Sequence, residues 1–277
     1  AEALGFSQPP ETPQQLIDQV CAAARANQQD GDPDNDGTGG LLLSTHYSPM
    51  LGWLGGFGAA VYDPAVSSGS PYAFESPAVV EAFTFLRSLY DQGCAWLPEA
   101  PYPEQAFAGR RALVAAGSLA NLPFQTQAMA RAGNSDRWMV LPFPSPDGQP
   151  VIGVYGPGFE IFTSTPEEQL AAWIFARWLA APERHARLVE AAHGLPVGKG
   201  ALAFLQEYQA GQPKWAAAQM YTELGRAEPV SRSWKTVRWA LSDAASQLFR
   251  SYFTIDQAPS LARFLDQTAD ELHANPP

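Results

Sequence analysis

Cysteine and histidine are scarce in this chain, and neither residue type is grouped. The four histidines are scattered, and none belongs to an HExxH motif or a Cys/His cluster of the kind that holds catalytic zinc. A GxSxG nucleophile elbow is absent, and the segment GLPVGKG at 194–200 lacks both the spacing and the Ser or Thr of a phosphate-binding loop. The sequence therefore offers no local motif of catalysis, and we assign no catalytic residue.

Basic residues are also in the minority. The chain has 17 Lys and Arg against 28 Asp and Glu, a formal net charge of −11, which opposes attraction to nucleic acid or to an anionic membrane surface. No apolar run approaches the roughly 18 residues that cross a bilayer. The first residues, AEALGFSQPP, are neither basic nor apolar and lack an initiator Met, so we expect a processed or shortened piece of a longer product.

Only two cysteines are present, Cys21 and Cys94. Each falls on or just after a predicted helix. This placement permits one disulfide, and it equally permits two buried thiols.

Helix and strand signals alternate along the chain, which predicts an α/β protein. Three helix starts carry a capping residue followed by proline: Thr12-Pro13, Ser76-Pro77 and Thr165-Pro166. Further helices are predicted at Pro182–Ala192, Lys199–Tyr208, Pro213–Leu224, Trp234–Phe253 and Pro259–His273. Apolar runs predict buried strands at Leu41–Ser44, Ala112–Ala116, Trp138–Phe143 and Val151–Phe162.

A Gly-Ser corner in the segment GRRALVAAGSLAN is the first candidate binding element. Gly117 would allow an unusual backbone path, and Ser118 would stand at a helix start, where free N–H groups attract polar or anionic groups. The alternative is that Ser118 only caps its own helix.

The acidic loop DGDPDNDG contains three aspartates at alternate positions, Asp32, Asp34 and Asp36. That spacing lets carboxylates converge on calcium, although Leu43 stands where an EF-hand has its bidentate Glu. A solvated acidic turn is the alternative. A structural calcium here is the one cofactor that the sequence suggests.

Several tryptophans and one tyrosine lie in loops or near predicted helix starts, where flat rings can stack on sugars or cations: Trp53, Tyr155, Trp215, Trp234 and Trp239. Core packing is the alternative for most of them. A basic stretch, Arg226 to Arg238, is interleaved with these rings and suggests contact with a polar ligand or a solvated helix face.

Three segments together carry a family resemblance: GRRALVAAGSLAN, WMVLPFPSPDGQPVIGVYGPGFEIF and EEQLAAWIFARWLAAPERHARLVEAAHGLPVGKGAL. Their order resembles that of the extracellular solute-binding proteins of ABC importers, family 1, which bind sugars and sugar-like solutes. GSLAN is similar to the glycerol-phosphate-binding branch, although maltose-type relatives carry Trp near the position of Leu119.

The resemblance implies a type II periplasmic-binding-protein clamshell of two α/β lobes. Residues 1–143 would form the first part of the C-terminal lobe, 144–150 the hinge crossing, 151–196 an incomplete N-terminal lobe, and 197–277 the return to the C-terminal lobe. The N-terminal third of the family pattern is absent before Ala1. The strand near Val151 would then have an exposed edge, through which we expect self-association.

The resemblance also implies a site and its partners. The cleft residues would be Gly117, Ser118, Tyr155, Gly156, Pro157, Ser44, His46, Trp53, Arg232 and Trp234. The solute would be a sugar or a glycerol-phosphate-like molecule, the partners would be ABC permease subunits, and the location would be extracytoplasmic, either periplasmic or as an anchored lipoprotein. A carbohydrate-acting enzyme and a non-catalytic interaction domain are the alternatives.

Overall fold

Short parallel strands alternate with helices in a computed structural model that describes residues 1–99, 103–156 and 158–275. The strands are β1 (Gly39–Leu42), β2 (Ala95–Trp96), β3 (Ala112–Ala115), β4 (Ile152–Val154) and β5 (Gly225–Ala227). The helices are α1 (Pro13–Gln29), α2 (Tyr47–Gly56), α3 (Pro77–Asp91), α4 (Glu104–Ala108), α5 (Leu122–Arg131), α6 (Pro166–Leu179), α7 (Pro182–Ala192), α8 (Gln206–Gly211), α9 (Pro213–Gln219), α10 (Trp234–Leu248) and α11 (Ala258–Ala274).

The larger sheet is parallel, with strand order β2-β1-β3. Leu41 pairs with Ala95 on one side and with Val114 on the other. A Cβ on Gly40 would lie 2.0 Å from the carbonyl oxygen of Cys94. The glycine therefore lets β1 approach the chain that leads into β2, and β1 is buried along its whole length.

The predicted helix caps are confirmed. Thr12 and Gln15 form a capping box at the start of α1, Ser76 accepts a hydrogen bond from the Val79 N–H, and Thr165 accepts one from the Glu168 N–H. In each case the cap is followed by proline at the first helical position, where the missing N–H costs nothing.

The main hydrophobic core joins distant parts of the chain. It is built from α1, β1, α2 and α3 together with α10 and α11, and its fully buried side chains include Phe74, Phe83 and Leu241. Arg87 of α3 is buried among them. Its guanidinium pairs with Asp91 and donates hydrogen bonds of 2.8 Å to the carbonyls of Leu248 and Arg250, so that α3 is fixed to the end of α10.

Cys21 and Cys94 form a disulfide across 73 positions of sequence. The bond links α1 to the segment that enters β2. The sequence left open whether the two cysteines pair or stay as thiols, and the structure shows that they pair.

A smaller hydrophobic cluster lies apart from the main core. Its buried members are Ala186 and Val189 of α7, Trp215 of α9, and Ala201 and Leu205 from the segment before α8. The indole N–H of Trp215 donates a hydrogen bond of 2.7 Å to the Gly194 carbonyl. Trp215, which the sequence placed among possible stacking rings, is therefore a core residue.

Helix α6 and the segment before it are largely unburied. No residue of α6 is buried, and its large side chains Trp173, Ile174 and Phe175 are each more than half exposed. Phe159 and Phe162 are also exposed. An apolar helix ordinarily packs against a neighbour, and the described residues leave this one without cover on most of its surface.

Two predicted strands are wrong in extent. Residues 138–142 form no strand, and Phe143 makes only an isolated antiparallel bridge with Val151. Among the described residues of the predicted strand 151–162, only Ile152–Val154 form a strand. Val151 itself is 3% exposed and exchanges two hydrogen bonds with Phe143, so the edge is covered at this residue. Self-association through the edge near Val151 stays a prediction.

Across the described residues, no helix is both long and apolar enough to span a bilayer.

Candidate solute-binding site

An open pocket lies where β4 and β5 end. The two strands run parallel, with Val154 opposite Ala227, so their carboxyl ends meet at one edge. Residues 154–156 and 227–232 line a cavity of about 620 Å³ at that edge. In open α/β sheets, ligands bind outside the carboxyl ends of the strands, where the chain leaves the sheet.

Gly225 makes this strand pair possible. A Cβ at that position would lie 2.7 Å from Cγ2 of Val154 and 3.0 Å from the Thr222 carbonyl. A larger residue would therefore push β5 away from β4 and open the base of the pocket.

The wall 227–232 is held from behind by hydrogen bonds. The hydroxyl of Tyr62 donates to the Val230 carbonyl at 2.8 Å, and the indole N–H of Trp234 donates to Oε2 of Glu228 at 2.8 Å. Because Val230 is 85% exposed, its side chain contributes little to fixing the wall. The backbone and Glu228 are the anchored parts.

A buried hydroxyl network continues this support. Ser233, which is 1% exposed, has its Oγ 2.9 Å from Oγ of Ser231, 3.0 Å from the hydroxyl of Tyr72 and 3.1 Å from Nδ1 of His273. One hydroxyl can donate once and accept twice, so three partners satisfy Ser233 fully. The pocket wall is thereby tied to α11 and to the loop that carries Tyr72.

The pocket offers varied chemistry in a small space. Tyr155 is 48% exposed and presents an aromatic face, while Glu228 supplies a carboxylate, Ser231 a hydroxyl and Arg232 an exposed guanidinium. Aromatic rings stack on the apolar faces of sugars, and hydroxyls accept and donate to charged side chains. This arrangement suits a polar, hydroxyl-bearing solute.

Beside the pocket, His46 and Tyr47 meet Arg238 and Trp239. The guanidinium of Arg238 lies 5.1 Å from the ring centre of Tyr47 and 5.4 Å from that of Trp239. Nδ1 of His46 accepts a hydrogen bond from the Ser48 N–H and caps α2. Burial lowers the pKa of His46, the cation of Arg238 lowers it further, and Glu228 opposes both effects.

A model of the bacterial extracellular solute-binding protein family matches residues 2–220. The chain belongs to this family. Membership implies an extracytoplasmic location and confirms the resemblance noted in the sequence. Curated protein sequences give no match to the chain.

Solved structures of solute-binding proteins share the fold. The sugar-binding protein MalE from Xanthomonas citri superposes with a TM-score of 0.78 at 19% identity, over 99% of this chain and 66% of MalE. The cyclic alpha-maltosyl-1,6-maltose binding protein from Arthrobacter globiformis gives a TM-score of 0.71 at 18% identity, over 96% of this chain and 66% of that protein. UgpB from Mycobacterium tuberculosis, in complex with glycerophosphocholine, gives a TM-score of 0.70 at 17% identity, over 97% of this chain and 66% of UgpB.

These matches confirm the predicted fold class. The chain is a mixed α/β protein of the periplasmic-binding-protein type and corresponds to part of a clamshell, because it spans 66% of the length of the structures just named. Identities below one fifth establish the fold and leave the ligand open. The lobe boundaries and the hinge at 144–150 stay predictions.

Three of the predicted site residues of this solute-binding protein meet in the pocket: Tyr155, Gly156 and Arg232. Gly156 is exposed, and a Cβ there would meet nothing within 4 Å, so its lack of a side chain leaves the pocket open. Pro157 lies outside the described residues.

The Gly-Ser corner is not part of this pocket. Ser118 is half-buried, and its hydroxyl accepts a hydrogen bond from the Ala120 N–H at 3.3 Å, which is the capping role that the sequence offered as the alternative. Gly117 does not adopt a positive φ, so the expected special backbone path is wrong. A role of either residue in binding stays a prediction.

Ser44 and His46 lie at the start of α2. Oγ of Ser44 accepts the His46 N–H at 3.2 Å, and the His46 ring stands 5.9 Å from that of Trp239. The two residues lie next to the aromatic group beside the pocket. They are not among the residues that line the pocket.

Two predicted stacking rings are buried. Trp53 is 4% exposed and packs against Phe85 and Phe143 in the main core. Trp234 is 5% exposed and supports the wall through Glu228. Neither ring can stack on a solute as the sequence interpretation proposed, because neighbouring aromatic side chains cover both.

The acidic loop is exposed, and Asp32, Asp34 and Asp36 do not gather around one point. Oδ1 of Asp30 accepts the Asp32 N–H, and Oδ1 of Asp32 accepts the Asp34 N–H, which is the pattern of a solvated turn. Among the described residues, no three His, Cys, Asp or Glu side chains form a group that could hold a metal ion. Calcium binding stays a prediction from the sequence.

Sequence reasoning missed Glu228 and Ser231. They follow β5, which is only three residues long and reads Gly-Arg-Ala, so no apolar run predicted a strand there. The usable signal was EPVSRSW, a proline-containing turn with charged, hydroxyl and aromatic residues before a helix start.

Proposed function

We propose that the chain is the ligand-binding part of an ABC importer's solute receptor and binds a sugar or sugar-like polar solute without transforming it. The pocket formed by 154–156 and 227–232 carries this proposal. Its volume of about 620 Å³ falls within the roughly 300–1,000 Å³ usual for small-molecule sites.

Tyr155 would stack on a sugar ring, while Ser231, Glu228 and Arg232 would hydrogen-bond to ring hydroxyls. Glu228 already accepts one hydrogen bond from Trp234 through Oε2, which fixes the carboxylate and leaves Oε1 for a solute. A positioned acceptor loses less conformational freedom on binding than a mobile one.

The partners and setting follow from the family. In the full receptor, residues 144–150 would be a hinge, the solute would favour a closed form of two lobes, and permease subunits would recognise that form. The receptor would be periplasmic or held at the membrane as a lipoprotein. The structures named above are of proteins described as binding maltose-type sugars or glycerophosphocholine, and these solutes set the first panel to test.

A titration by NMR with maltose, glucose and glycerophosphocholine would test the proposal. We expect millimolar or tighter binding, with shifts at Tyr155 and Arg232. Tyr155→Ala should abolish the shifts and Tyr155→Phe should keep them, because stacking needs the ring and not the hydroxyl. Tyr252→Ala, which removes a 70% exposed ring outside the pocket lining, is the matched control.

Two results would contradict this function. One is the absence of any solute-dependent shift across the panel. The other is steady release of product from a chromogenic glycoside, which would favour a carbohydrate-acting enzyme.

A further inference from the structure

We propose that His273 makes Ser231 a hydrogen-bond acceptor toward the solute, because it fixes the direction of a chain of hydrogen bonds that passes through Ser233. His273 is then a positioning residue of the pocket, since it acts through other side chains. The inference rests on the proposed function and adds the polarity that the solute must present to Ser231, which is a donor such as a hydroxyl or an N–H group.

Ser233 is the branching point of this chain of hydrogen bonds. Its Oγ lies 2.9 Å from Oγ of Ser231, 3.0 Å from the hydroxyl of Tyr72 and 3.1 Å from Nδ1 of His273. Ser233 is buried, so these three side chains are the partners of its one proton and two lone pairs. The atom that receives the single proton of Ser233 therefore decides the direction of all three contacts.

The chemistry of the partners assigns that direction. The buried Tyr72 hydroxyl has only Ser233 as a hydrogen-bond partner among the described residues, and a buried tyrosine hydroxyl needs an acceptor, so Tyr72 donates to Ser233. A bare imidazole nitrogen is a stronger acceptor than a hydroxyl oxygen, and the half-buried His273 ring can carry its proton on Nε2. Ser233 therefore donates to Nδ1, and its remaining lone pair accepts from Ser231.

Aromatic packing and the backbone hold these atoms in place. The ring of Tyr72 stands nearly perpendicular to that of His273, with 6.0 Å between the ring centres, and it stacks with Trp234 at 6.3 Å. The carbonyl of Ser231 accepts the Trp234 N–H at 3.1 Å. The imidazole and the Ser231 backbone are thus both fixed relative to Trp234 at the start of α10.

The direction of the chain determines what Ser231 offers to a solute. Its one proton points inward to Ser233, so its free lone pair faces the pocket that Ser231 lines. On the same wall, Glu228 can only accept and Arg232 can only donate. A solute hydroxyl or N–H group matches Ser231, whereas a ketone oxygen, an ether oxygen or a fluorine at that point would face a lone pair.

The tautomer of His273 can be measured on the chain without any solute. Nitrogen-15 NMR of the imidazole ring at pH 8 distinguishes a protonated nitrogen from a bare one, and His273→Leu identifies the signals by their loss. We expect Nδ1 to be bare and Nε2 to carry the proton. A proton on Nδ1 would overturn the inference and leave the solute-receptor function standing.

Fluorinated sugars test the polarity of Ser231. We compare glucose with its deoxyfluoro analogues by NMR titration, because fluorine cannot donate a hydrogen bond. One analogue should bind the wild type about tenfold more weakly than glucose, since its fluorine meets the lone pair of Ser231. His273→Leu should reduce this loss to about threefold or less, because the Ser233 proton then turns to Ser231 and frees the Ser231 proton for the solute.

Tyr72→Phe is the matched control. It removes one partner of Ser233 but keeps the direction from Ser231 through Ser233 to His273, so the loss should stay about tenfold. A network that only supported the wall would respond alike to both variants. Ser233→Ala interrupts the chain of hydrogen bonds and should relieve the loss as His273→Leu does, which keeps the test decisive if His273→Leu does not fold.

The outcomes separate this inference from the proposed function. If glucose binds and no analogue loses affinity, or if the loss is equal in the wild type and in the His273→Leu and Ser233→Ala variants, the inference is overturned and the receptor function stands. Absence of binding by every solute tested would overturn the proposed function and, with it, the role of Ser231 in selection.

Discussion

The indole N–H of Trp234 donates a hydrogen bond of 2.8 Å to Oε2 of Glu228, and this contact fixes the pocket wall to the start of α10. Trp234→Phe would keep most of the ring packing and remove the donor. We expect the free energy of unfolding to fall by about 1–3 kcal/mol, because a half-buried carboxylate loses its partner. Urea unfolding measures this loss.

Trp173→Phe is the matched control for that variant. Trp173 is 53% exposed on α6, so the same chemical change should shift the unfolding free energy by no more than about 0.5 kcal/mol. Equal losses in the two variants would show that the Glu228 contact contributes no stability of its own.

The disulfide between Cys21 and Cys94 should be a major source of stability. It closes a loop of 73 positions, and constraint of the unfolded chain by a loop of that length corresponds to about 4 kcal/mol. The double variant Cys21→Ala, Cys94→Ala should lose a comparable amount in urea unfolding. A reducing agent should lower the stability of the wild type and leave that of the double variant unchanged; insensitivity of the wild type to reduction would contradict the role given to the bond.

The cap formed by His46 should make stability depend on pH. The pKa of His46 is lowered, first by burial and then by Arg238, and the neutral ring is needed because Nδ1 accepts the Ser48 N–H. As pH falls below about 6.5, the unfolded chain takes up a proton that the folded chain resists. Stability is therefore retained above that pH and lost as pH falls toward the lowered pKa.

His46→Asn isolates this effect, since Asn also caps helices but does not titrate. We expect the melting temperature of the wild type to fall more than that of His46→Asn between pH 7.5 and pH 5.5. His46→Ala should lose about 1 kcal/mol at both pH values through loss of the cap. Parallel pH profiles for the wild type and His46→Asn would refute the assignment.

Local signals predicted the helices well and the short strands poorly. A cap and a proline, as at Thr165-Pro166, determine a helix start within one turn, and α6 begins there. A strand needs a partner, which no local pattern reveals. In the apolar run at 138–143, only Phe143 pairs, through an isolated bridge with Val151. Gly225–Ala227 has no apolar pattern, yet it forms a strand because β4 lies beside it.

Pocket residues could be predicted only where the local sequence indicates an exposed turn. Tyr155, Gly156 and Arg232 come from such turns and line the pocket. Trp53 and Trp234 carry the same aromatic signal, yet Phe85 and Phe143 cover the first and Tyr72 and Tyr47 the second. Burial of a ring depends on packing between distant elements, and sequence spacing does not encode it.

The exposed rings of α6 should make the chain associate with itself. Trp173 and Phe175 are 53% and 57% exposed, and Leu170, Ile174 and Trp178 of the same helix are also at least half exposed. Exposed apolar surface of this kind marks an interaction site or an aggregation liability. The double variant Trp173→Gln, Phe175→Gln should remain monomeric at concentrations where the wild type forms larger species in light scattering. Its melting temperature should not fall, because neither ring is part of a hydrophobic core.

Arg177→Gln on the same helix is the control, because it changes an exposed polar side chain and leaves the apolar surface intact. It should associate like the wild type. The prediction fails if the wild type stays monomeric at high concentration and binds no more of a hydrophobic dye than the double variant does. This surface would then not drive association. Association that persists in the double variant would direct attention to Phe159 and Phe162, the other exposed rings before α6.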